Sequence, residues 1–130
     1  MSCAGKTTLL KSKAVSLAQA GELVTLIFMG GSGKTEAAMS IANKLDFANY
    51  PNVTVLSQQD LEEKYTQEHP WCLWVPSPLS LLKFYIEKEK PQHVMVDEVP
   101  FETTLYSSDS MLNFLSPLLP PSSFLLLISI

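Results

Sequence analysis

Apolar positions along the chain follow two rhythms, and their alternation predicts the fold. Over residues 7–20, Leu10, Ala14, Leu17 and Ala18 recur at helical spacing, Lys11 and Lys13 lie off that face, and Gly21 supplies a stop. Residues 23–29 (LVTLIFM) are instead almost continuously apolar and rich in strand formers, the pattern of a parallel strand buried on both faces. A glycine-rich turn follows, then a helix over residues 35–47 with the stripe Ala38, Ile41, Ala42 and Leu45. Residues 53–56 predict a short strand. Residues 60–68 predict a solvated helix with Glu62, Glu63 and Lys64 toward water. Ser77 reads as an N-cap and Pro78 as the first residue of a helix carrying Leu79, Leu82 and Ile86, closed by Pro91. Residues 93–96 form a strand that runs into Asp97 and Glu98. A capped helix over residues 108–115 and a last apolar strand over 123–130 complete the series.

This order predicts one α/β domain over residues 1–130, a parallel sheet with helices on both faces. Its first helix opens on Gly-Lys-Thr with no strand ahead of it, and its last strand reaches the final residue. The expectation is therefore a sheet of P-loop NTPase type that is incomplete at both ends.

Two segments compete to be the phosphate loop, whose signature is G-x-x-x-x-G-K-[ST] between a strand and a helix. The chemistry is geometric: glycines let backbone N–H groups wrap phosphates, the helix terminus adds positive potential, lysine reaches the outer phosphates and the hydroxyl ligates Mg²⁺. Gly5, Lys6, Thr7 and Thr8 match the end of the signature and are followed by an amphipathic helix. Gly31, Gly33, Lys34 and Thr35 have both a strand and a helix around them, but Phe28 stands where the signature has its first glycine. That loop is too short for the usual cradle unless its strand ends early. Downstream, Asp97 ends an apolar strand, where doubly wound sheets place ligands. Its carboxylate suits Mg²⁺, together with Thr7, and Glu98 is the candidate to activate the attacking water.

From Ala4 to Met29 the chain resembles the opening of superfamily 1 helicase-like P-loop ATPases, in which a Gly-Lys-Thr helix precedes a strand and then a polar loop. Val94-Met95-Val96-Asp97-Glu98 is similar to the acidic motif of that family, and residues 123–130 to the strand after it. The resemblance implies binding of ATP with Mg²⁺ and, in a complete protein, ATP hydrolysis coupled to movement on single-stranded nucleic acid. It assigns phosphate to Lys6, metal to Thr7 and Asp97, and water to Glu98, and makes the second Gly-Lys-Thr a coincidence. Two alternatives stand beside it. One is a small kinase-like or signalling NTPase using Lys34; the other is a non-catalytic α/β interaction module or inactive fragment.

Composition narrows the partners. The 130 residues carry 9 basic and 13 acidic side chains, a net charge of −4, which does not favour a nucleic-acid partner. All basic residues are lysine, so an arginine finger would have to come from a missing domain or a partner. Cys3 and Cys72 lack zinc spacing and read as reduced thiols of an intracellular protein. No signal peptide or membrane-length apolar run is evident. His69 and His93 read as structural, and Trp71 and Trp74 as loop packing or a cover over the sheet, with base stacking as the functional alternative.

Overall fold

Four short apolar strands pair side by side, all parallel, in the order β2-β1-β3-β4. The computed structural model describes residues 3–29, 33–99, 108–123 and 125–129. In chain order the elements are α1 (Cys3–Gln19), β1 (Val24–Phe28), α2 (Gly33–Asp46), β2 (Val53–Ser57), α3 (Gln58–Glu68), α4 (Pro78–Glu89), β3 (His93–Val99), α5 (Ser108–Leu115), a 3₁₀ turn (Ser116–Leu118) and β4 (Leu125–Ser129). The α/β class read from the hydrophobic pattern is the observed one.

Strand alternation divides the core into two layers, because successive side chains leave a strand on opposite faces. Val24, Leu26 and Phe28 of β1 and Met95 of β3 pack with Leu10 and Ala14 of α1 and with Phe47 just past α2. Ile27, Val94 and Val96 point the other way, onto Leu61 of α3, Leu81, Leu82, Tyr85 and Ile86 of α4, and Leu115. The crossovers therefore share one hand. The step from β1 to β2 uses the α1/α2 face, and the two steps in the opposite direction, β2 to β3 and β3 to β4, use the other face.

Local signals set the element ends. Gly21 leaves α1 with φ of 84°, a conformation glycine adopts without a Cβ penalty. Helix α3 begins two residues earlier than the sequence pattern suggests. Ser57 accepts from Asp60 N at 3.1 Å while its own N–H donates to Asp60 Oδ2 at 2.8 Å, so Asp60 completes a capping box instead of starting the helix. Ser77 caps α4 as expected, accepting from Ser80 N at 3.3 Å.

One stripe is corrected. Ala38, Ile41, Ala42 and Leu45 of α2 are all exposed, and the helix buries Asn43, with Phe47 just beyond it. Helix α2 lies over β2, the outermost described strand on that side, so one side of the helix has sheet beneath it and the stripe faces away.

At the edge where the strands begin, polar side chains tie the layers together. Asn52 Nδ2 donates to the carbonyls of Ala18 at 2.9 Å and Glu22 at 2.7 Å, while its own carbonyl accepts from Val24 N at 3.0 Å. Asn52→Ala is expected to cost ~1–3 kcal/mol, read as a lower urea midpoint at unchanged slope, because it strands the two carbonyls. Nearby, buried His93 places Nε2 2.8 Å from Glu22 Oε2, which also accepts from Gln92 Nε2. His93 lies at the opposite end of the sheet from Asp97. Under α4, burial pushes the Tyr85 phenol above the ordinary tyrosine range; a hydrogen bond with Thr25 opposes the shift and the Glu89 charge adds to it.

Candidate functional site

Asp97 stands near the C-terminal end of β3, in register with Phe28 of β1, and Met29 N donates to its carbonyl at 3.0 Å. Phe28 belongs to the α1/α2 layer, and cross-strand partners share a face, so the Asp97 carboxylate is on that face too. It is 3% exposed. A carboxylate so enclosed at the carboxyl end of a parallel sheet occupies the position where such sheets hold ligands.

Both Gly-Lys-Thr helices start at this rim. Helix α1 runs antiparallel to the strands, since the Ala18 carbonyl is tied through Asn52 to the start of β1. Leu10, eight residues earlier, is about 12 Å further up the helix. Phe28 and Asp97 are each about 13 Å up their strands, so Leu10 is roughly level with them. The backbone of Gly5, Lys6 and Thr7 lies within about two turns above that level. Helix α1 rests on β1 and on β3, the strand that carries Asp97. Helix α2 opens at Gly33, after the end of β1, and rests on β2.

The two segments differ in detail. Helix α1 extends back to Cys3, beyond the expected start at Thr7, so Gly5, Lys6, Thr7 and Thr8 are already helical. Thr8 is exposed and lines a groove of about 480 Å³ with Lys11, Ser12, Val15, Asp46 and Phe47. Lys11 Nζ closes on Asp46 Oδ2 at 2.8 Å across that groove. In the second segment the strand does not end early. Phe28 is still paired, and Met29 N still bonds β3, so the loop does not gain the length the signature requires. Gly31 lies outside the described residues, as do the side chains of Lys6, Thr7, Lys34, Thr35 and Glu98.

Among the described residues, no group of three or more His, Cys, Asp or Glu could enclose a metal. A single buried carboxylate nevertheless fits Mg²⁺, which takes one or two carboxylates and completes its shell with phosphate oxygens and water. Of the two structural readings of the tryptophans, loop packing holds for Trp71, whose ring meets His69 edge-on, whereas the exposure of both Trp71 and Trp74 on the α3–α4 connection does not fit a cover over the sheet. Sequence reasoning also missed the face assignment of Asp97, which needs the strand register to be known. No described helix is long and apolar enough to cross a membrane. Set against protein-family models, curated proteins and solved structures, the chain matches none of the three.

Proposed function

We propose that the chain is the nucleotide-binding core of a P-loop ATPase resembling superfamily 1 helicase-like proteins, with Gly5 to Thr8 as its phosphate segment. The observation that carries this reading is the buried Asp97 carboxylate on the face and rim where α1 begins, on a strand that α1 itself packs against. Lys6 would hold phosphate, Thr7 and Asp97 would hold Mg²⁺, and Glu98 would orient water. Mg²⁺ would supply charge neutralisation between the outer phosphates. For ATP hydrolysis, any arginine at the transferring phosphate would come from outside the chain's all-lysine complement.

A second reading uses Lys34, as in a small kinase-like or signalling NTPase, and is favoured by one observation. Helix α2 opens at Gly33, after the strand next to Asp97. Titration of a fluorescent ATP analogue in Mg²⁺ separates the two. Lys6→Ala is expected to weaken binding by roughly tenfold or more, since a lysine–phosphate contact is a charge-assisted bond worth about 1.5–3 kcal/mol. Lys34→Ala is expected to change little. The reverse pattern transfers the site to the second loop. Equal affinity in both variants removes both assignments, and absence of binding by the parent chain leaves a non-catalytic interaction module.

A further inference from the structure

The connection between α3 and α4 presents four exposed apolar side chains, two of them tryptophans, in one short run. Trp71 is 71% exposed, Leu73 97%, Trp74 67% and Val75 61%. A contiguous apolar surface of this kind marks an interaction site more often than a lone exposed leucine does. The run is also held in place. His69 stacks on Tyr65 at 4.2 Å between ring centroids, Trp71 meets His69 edge-on at 5.3 Å, and Phe84 of α4 closes on Tyr65 at 5.2 Å. Cys72 N bonds the His69 carbonyl at 3.0 Å, and Pro76 is buried. Aromatic stacking thus fixes the base of the loop while its tip stays in water.

Beside the loop, the outer face of α3 forms a groove of about 450 Å³ lined by Gln59, Glu62, Glu63, Thr66, Gln67 and Val75. The five α3 residues follow i, i+3, i+4, i+7, i+8 spacing, one continuous helix face. The described lining has two carboxylates and no basic side chain. Glu62 accepts from Gln58 Nε2 at 3.2 Å, a neutral donor that leaves its charge in place, whereas Asp60 meets Lys44 at 3.8 Å and Glu68 meets Lys88. Val75 joins the acidic groove to the apolar tip.

We propose that loop 71–75 and the outer face of α3 form a docking surface for a segment of a partner protein that presents lysine or arginine beside apolar side chains. Charge decides the class of occupant. Phosphate backbones and anionic lipid headgroups are repelled by Glu62 and Glu63, whereas a basic amphipathic segment meets carboxylates and apolar contacts side by side. The surface lies on the sheet face opposite Asp97, so it is independent of the nucleotide reading.

Trp71 and Trp74 are the only tryptophans in the chain, so tryptophan emission, excited selectively over tyrosine, reports from this surface. The probe is a fluorescein-labelled lysine/leucine amphipathic peptide of about 14 residues, which spans about 21 Å when helical, followed by anisotropy in about 0.15 M salt. The result expected is saturable binding with a blue shift of tryptophan emission. Binding should weaken about tenfold or more in Glu62→Lys/Glu63→Lys and in Leu73→Ala, both at exposed or half-exposed positions, with thermal melts confirming folding. Glu87→Lys/Glu89→Lys, with the same charge change away from the groove, should bind as the parent does. Absence of binding, or equal loss in this control pair, overturns the proposal. So does an emission shift produced instead by phosphatidylglycerol-containing vesicles or by an oligodeoxythymidylate.

Discussion

Leu26→Ala is expected to lower the stability of the fold by ~2–5 kcal/mol, the cost of a cavity in a packed core. Leu26 is fully buried in the middle of β1, in register with Val55 on one side and Met95 on the other, beneath the layer formed by Leu10 and Ala14. No backbone rearrangement can close the gap without disturbing both neighbouring strands. A domain of this size has about 5–15 kcal/mol in all, so the variant would sit close to its unfolding threshold. Urea denaturation followed by circular dichroism measures the loss. Leu45→Ala is the matched control: it removes the same atoms from the outward stripe of α2 and is expected to stay within ~0.5 kcal/mol of the parent. A large loss at Leu45 would contradict the placement of that stripe in water.

The second large effect concerns nucleotide. Asp97→Asn keeps the shape of the side chain and removes its charge. If Asp97 holds Mg²⁺, the variant is expected to bind the fluorescent ATP analogue about tenfold or more weakly in Mg²⁺, which corresponds to ~1.4 kcal/mol or more. In chelator, parent and variant should bind alike. An equal loss in both buffers would assign Asp97 to packing at the strand end, and the metal role would fall. Because the residue is buried, a melt of each protein without ligand must accompany the titration.

The fold was legible from the chain because its signals are local and repeated. β1 is apolar at every position but Thr25 and is buried at every position, and the covering helices announce themselves through Gly21, Ser77 and Pro78. The misreadings have physical causes. The stripe Ala38-Ile41-Ala42-Leu45 has helical period, yet period alone says only that a face exists, and the sheet beneath α2 stops at β2. The start of α3 is hidden in the pattern because Asp60 looks like the first residue of a helix, whereas it is the N3 residue whose side chain closes a capping box onto Ser57. Tryptophans in a polar loop do not say which way they face: Trp71 touches His69 edge-on, but the rings of Tyr65, His69 and Phe84 fill the base of the loop and leave most of Trp71 and Trp74 in water.

For the candidate site, the chain alone supplied the chemistry: two Gly-Lys-Thr segments, one apolar strand ending in Asp97-Glu98, and no arginine. It also determined the α/β class, since largely apolar strands alternating with amphipathic helices have few other ways to bury themselves. Only the tertiary structure decided which strands are neighbours and which face each side chain takes. Those choices depend on register and crossover hand, which involve residues far apart in the chain. They put Asp97 beside Phe28 on the α1/α2 face, keep β1 in the sheet through Met29, and bring Val75 and Glu63 into one groove beside α3.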